Sequence, residues 1–246
     1  RLLKNDFKNE TYHFYGNKNI TTENYRNLKL YKEIESFNLF VNDQVKVQNI
    51  DFDKKIISIL QTGANGRAIF KGKKISNWKI DFEGLSSGNQ IIFNNLTGCI
   101  TFIDIEVSNI EIKTKNGICE DTVNFIRSSG VIKNYSSNNS FSDSLDLDFS
   151  EIRINNALIE NARNDCIDFS GGKYFISKGL FKFCGDKGIS VGERSSVEIS
   201  YSLIEDSNIG IASKDGSSIQ LNEVNIQKVE TCLASYKKKQ EFSGGL

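Results

Sequence analysis

Asp121, Asp143, Asp165 and Lys187 recur at intervals of 22 residues, and Asn124, Asp146 and Asp168 repeat that interval three positions further on. Such a spacing becomes chemistry only if the chain folds so that equivalent positions stack. Ionised carboxylates stacked about 5 Å apart repel one another, so they must share protons, bind a cation or stay solvated. On that argument Asp143 and Asp165 are candidate acid–base residues, and Lys187 and Lys214 are candidate bases or charge-neutralising groups. Asp146 and Asp168 are candidate oxygen ligands for a calcium ion. Asn164, Asp168, Asp186, Glu193 and Tyr236 are the polar neighbours expected to touch a substrate. The surrounding charge fits: residues 143–168 carry seven acids against Arg153 and Arg163, an acidic patch in a chain whose 31 basic and 31 acidic residues otherwise balance.

The same interval organises the apolar residues. Val123, Leu145, Ile167, Ile189, Ile211 and Leu233 form one row, and Phe125, Leu147, Phe169 and Val191 continue it two places on, until Ser213 and Ser235 replace the apolar residue. A second row, Ile132, Ile154, Ile176, Ile199 and Leu221, runs through segments such as IRINNALIE and VEISYSLIE. Both alternate apolar and polar residues, the period of a strand with one buried face, so each repeat holds at least two short strands. A leucine-rich repeat of this length would show one strand, a helical return and a recurring Asn, a pattern this sequence lacks.

The expected fold is all-β, a parallel β-helix solenoid with coils of about 22 residues over 41–240. Left-handed β-helices built from hexapeptides have coils of about 18 residues, so by comparison with them the right-handed form is expected. Residues 1–40 depart from the period and are expected to cap the solenoid, with a short helix over TTENYRNLKLYKEIESF; 241–246 is a tail or a cap. The five cysteines show no metal-binding spacing and are expected to be small buried residues between coils rather than a disulfide framework. His13, the only histidine, is expected to be an ordinary surface residue.

The segments SDSLD, NDCIDFSG and GDKGISVG are similar to three motifs of the polygalacturonase family of pectin hydrolases, NTDGFD, DDCxAxxSG and GHGxSIG, in the same order and at similar coil spacing. The chain thus resembles that family, within the pectate-lyase-like superfamily of right-handed parallel β-helices, over about residues 141–215. The resemblance places Asp143 on the Asp of the first motif, Asp165 on the second Asp of the pair and Lys187 on the His. GIASK echoes the family's RIK motif, with Lys214 on its Lys and Ala212 on its Arg. Asn164 stands where the family carries the proton donor, and an amide does not replace a carboxylic acid in that role. Lyase or epimerase chemistry is therefore expected ahead of hydrolysis. The superfamily analogy also implies an extracellular or periplasmic setting.

Several functions are excluded or disfavoured. Zero formal charge argues against a nucleic-acid partner, and no apolar run is long enough to span a bilayer as a helix. GANG and SGG lead into no phosphate-binding helix, and no GxSxG or His-containing triad is present. Three classes remain: an enzyme acting on an acidic polysaccharide along an exposed Asp/Lys-lined face, a glycan-binding module without turnover, and a structural or interaction solenoid of a larger surface protein.

Overall fold

The structure, a computed structural model, describes residues 28–85 and 98–246 and the backbone of two two-residue strands, Tyr12–His13 and Asn19–Ile20. It is an all-β solenoid. Ala68, Ile100, Val123, Leu145, Ile167, Ile189, Ile211 and Leu233 stand in direct parallel register, one residue per coil for eight coils. From Val123 onward the register is the 22-residue row of the sequence. Two places on, Phe70, Phe102 and Phe125 stack with ring centroids 4.8 and 4.5 Å apart, and Leu147, Phe169 and Val191 continue the column. Every side chain of this second column is fully buried, which stabilises the fold by about 1.5–3 kcal/mol apiece before entropy is counted.

Two further faces complete each coil. One carries Ile132, Ile154, Ile176, Ile199 and Leu221 in register, as the second apolar row requires. The other stacks Ile57, Ile80, Ile112, Tyr135, Ala157 and Gly179. Corners between faces are made by residues in the left-handed region. Asp104, Arg127, Phe149 and Gly171 mark one corner, and Asn116, Asn139, Asn161, Phe183, Asp206 and Lys228 mark another. Asn suits that conformation because its short amide hydrogen-bonds locally. At Gly130, with φ 121°, an added Cβ would lie 1.8 Å from the Val107 carbonyl oxygen, so the coil can turn there only with glycine.

The ends differ from the middle. Lys29–Ile34 and Ser36–Val41 form an antiparallel hairpin, and Ser36–Val41 pairs antiparallel with Ala68–Ser76. The helix expected over 21–37 is therefore corrected for residues 29–37; residues 21–27 lie outside the described residues, as does the side chain of His13. SFNLFV alternates like a strand, buries Phe37 and Leu39 and is paired along both edges, which outweighs the helix propensity of YKEIE. Val45–Asp51 pairs antiparallel with Ile56–Gln61, and it is Ile56–Gln61 that first finds a parallel partner, in Lys79–Glu83. At the other end the tail folds back: the Leu246 N–H donates to the Ser217 carbonyl at 2.8 Å and the Gly245 N–H to that of Tyr236 at 3.3 Å. Leu221 and Leu233 of the last coil nevertheless stay 37% and 59% exposed.

The cysteine expectation is overturned. Cys99–Cys119 and Cys166–Cys184 are disulfides, and Cys232 is free and exposed. Their sequence separations of 20 and 18 fall short of a full coil, so each bridge spans a turn and ties one coil to the next, with Cα atoms 5.5 and 5.4 Å apart. That is an ordinary disulfide span. Among the described residues no helix is long and apolar enough to cross a membrane.

Candidate functional site

The candidate residues lie where one face begins, just after the corner of Asn161. Parallel register brings Asp121 beside Asp143, and Asp146 beside Asp168. The Asp143 Oδ1 accepts the Asp165 backbone N–H at 2.8 Å and the Asn164 Nδ2 at 2.6 Å. One coil on, the Asp165 Oδ1 accepts the Lys187 backbone N–H at 3.0 Å. Each aspartate thus satisfies the backbone of the equivalent residue in the next coil, which gives the Asp ladder a structural role alongside any chemical one.

Side chains then converge. Single oxygens of Asp143, Asp165 and Asp168 lie within 4.8 Å of one another. The Lys187 Nζ donates to the Asp165 Oδ1 at 3.3 Å and also to the Asp186 carboxylate. The Lys214 Nζ lies 3.8 Å from the Asp168 Oδ1. The buried Cys166–Cys184 bridge fastens the coil that carries Asp165 to the coil that carries Lys187. Four of the expected site residues, Asp143, Asp165, Lys187 and Lys214, are therefore one cluster, with Asp168, Asn164 and Asp186 in contact with it.

The remaining expected residues are placed differently. Tyr236 is in register with Lys214 and close enough to add to the field at Lys187. Glu193 is held by Lys239 of the tail. Asp146 accepts the Asn124 Nδ2 at 3.1 Å, and Asp168, not Asp146, completes the carboxylate triad. Two ammonium groups sit against that triad where a calcium ion would have to find six or more oxygens, so the residues suit internal neutralisation better than a calcium cage.

The face is also less open than expected. Asp143, Asp146, Asp165, Lys187 and Lys214 are buried, and the cluster reaches solvent mainly through the side chains of Asp186, 42% exposed, and Asp168, 27% exposed. Burial first, then the charges of Asp165 and Asp168, push Asp143 up to about 7, against hydrogen bonds from the Asp165 backbone and Asn164 that pull it down. Burial and Asp168 push Asp165 up to about 6, while Lys187 and Lys214 restrain it. The two carboxyls behave as a pair that holds a proton near neutrality. Burial lowers Lys187, but the charge of Asp165 and the hydrogen bond and charge of Asp186 outweigh it, and its pKa ends above the ordinary lysine value. Lys187 is thus a fixed cation at neutral pH, a poor proton acceptor and a good partner for an anion.

No protein-family profile, no curated protein and no solved structure matches this chain.

Proposed function

We propose that the protein acts on an acidic polysaccharide, using the Asp143–Asp165 pair for proton transfer and Lys187 with Lys214 to offset the substrate's carboxylate. The observation that carries this reading is the pairing of two buried carboxyls, at about 7 and about 6, with two buried lysines. A proton-transfer group works best when its pKa lies near the working pH, and buried clusters poised in this way concentrate at functional sites. The base assigned to lysine on sequence grounds passes to the aspartate pair, because Lys187 stays charged.

An inverting hydrolase needs its carboxyls about 6.5–9.5 Å apart to admit a water. Oxygens within 4.8 Å are closer than that and nearer the spacing of about 5–5.5 Å in a retaining pair, but Asn164 stands where a hydrolase needs its proton donor, so elimination or epimerisation at a uronic acid fits better. In that chemistry the lysines stabilise the charge that develops when the proton beside the sugar carboxylate leaves. The right-handed sense expected of the coils agrees with the usual hand of parallel strand crossovers. Two disulfides agree with an oxidising, extracellular or periplasmic setting.

The test is incubation with polyuronates, reading both absorbance near 235 nm from new double bonds and reducing ends, in parallel with Asp165→Asn. Absorbance that the variant loses supports elimination. Silence on every polymer by a folded protein counts against turnover. A second reading, a glycan-binding module, draws on the near-closure of Asp143 and Asp165 and their backbone-capping hydrogen bonds; it predicts binding without turnover.

A further inference from the structure

Outside the acid cluster, the corner of Asn116, Asn139 and Asn161 borders a cavity of about 480 Å³, and Phe183 at that same corner is shared with a second cavity of about 540 Å³ that reaches Lys228. The two are successive stretches of one trough along the solenoid axis. Its six corner positions, from Asn116 to Lys228, cover five coil steps, roughly 24 Å at about 4.8 Å per step. A trough of that form fits an extended chain lying along the axis.

Two side chains in it lack an internal reason. Phe183 continues a run of three asparagines in the left-handed conformation, with φ 56°, and is 52% exposed, so neither backbone preference nor burial favours an aromatic there. Arg163 is exposed, lies over the Phe141 ring at 5.1 Å and has no carboxylate partner among the described residues. A guanidinium pre-oriented on a ring presents a planar fork suited to a carboxylate. Another groove, of about 600 Å³ beside Trp78, contrasts with this. Its lysines are already paired, Lys133 with Glu111 at 2.7 Å, Lys79 with Asp81 at 3.1 Å and Lys54 with Asp51 at 3.7 Å.

We propose that this trough is the binding cleft for an extended polyuronate, in which Phe183 stacks against a sugar ring, Arg163 takes a uronate carboxylate and the corner asparagines contact hydroxyls. The inference rests on the acidic-polysaccharide reading above and adds the location and residues of recognition. Asn164 and Asp165 follow Arg163 directly in the chain, and Gly185, which lines the trough, directly precedes Asp186, so the trough borders the coils that carry the cluster.

Binding is measured by affinity electrophoresis in gels containing a polyuronate, a sulfated glycan or a neutral glycan, for the wild-type protein, Arg163→Gln, Phe183→Ala and Lys133→Ala, each checked by thermal melting. Retardation by the polyuronate is expected to weaken about tenfold in Arg163→Gln and about fivefold in Phe183→Ala, with unchanged melting, while Lys133→Ala binds like wild type. Equal binding by the Arg163 and Phe183 variants overturns the trough and leaves the catalytic reading intact. Preference for the sulfated or neutral polymer overturns the carboxylate assignment. Failure of the wild-type protein to bind any of the three overturns the cleft and the acidic-polysaccharide reading together.

Discussion

Between Asn161 and Asp165 the chain passes from an open trough to a nearly closed charge cluster, and the same 22-residue repeat builds both. On the trough side Arg163 has no carboxylate partner among the described residues and Phe183 is half exposed. On the cluster side Lys187 and Lys214 each have an aspartate, and Asp143 and Asp165 each take a backbone N–H. Stacking sets which residues become neighbours; whether a position is free to act outward depends on whether those neighbours already satisfy it. On the proposed reading the trough holds a polymer and the cluster moves a proton.

The largest separation of the two regions is expected from Asp165→Asn and Arg163→Gln assayed together. If the polysaccharide reading holds, the first lowers turnover by about a hundredfold or more with binding retained, and the second weakens binding with a smaller loss of turnover at saturation. Equal effects of both on kcat and KM would erase the distinction.

Next comes Lys187→Ala, which leaves Asp165 buried beside Asp168 without its main counter-charge. Denaturant unfolding at pH 8 is expected to show a loss of about 3–5 kcal/mol. The loss is expected to shrink below pH 6, where Asp165 takes up a proton. A pH-independent loss would mean that the lysine matters for packing rather than charge.

Opening the Cys166–Cys184 bridge with paired serines is expected to cost about 2–4 kcal/mol. It is expected to disturb the cluster more than the trough, because the bridge joins the coils of Asp165 and Lys187. Polymer binding and turnover, measured on the same preparation, separate the two.

The smallest effect is expected from Asp143→Asn. A carboxyl raised from 3.8 to about 7 binds its proton more tightly folded than unfolded, so its stabilising contribution is complete below pH about 4 and is lost as pH rises towards 7. The variant is expected to match wild type below pH about 4 and to exceed it progressively as pH rises from about 4 towards 7. Lower stability at pH 8 would show that the ionised carboxylate is well compensated.

Much of this architecture is legible in the sequence because a solenoid repeats its constraints. The Val123 to Leu233 row and the Asn124–Asp146–Asp168 ladder read at 22-residue steps pair residue for residue in the structure. What escapes the period is what breaks it. Cys166 and Cys184 occupy different positions in their coils, so no row aligns them, and an odd cysteine count points away from pairing. The hairpins at Lys29–Val41 and Val45–Gln61 are antiparallel and carry no coil signature. Burial of the Asp face depends on how neighbouring side chains close over it, which alternation along one strand does not encode. The run Asn116, Asn139, Asn161 was a readable sign of a left-handed corner; Phe183 hides its continuation because a phenylalanine is rarely found there.

The most direct test of the central claim is a pH titration of the aspartate carboxyls by ¹³C NMR on protein labelled at aspartate, with Asp143→Asn and Asp165→Asn to assign the signals. The account predicts a coupled pair that takes up a proton between pH about 6 and 7 and is lost in either variant. If every aspartate is fully ionised above pH 5, the pair carries no proton at neutrality and the proposed proton-transfer site does not exist.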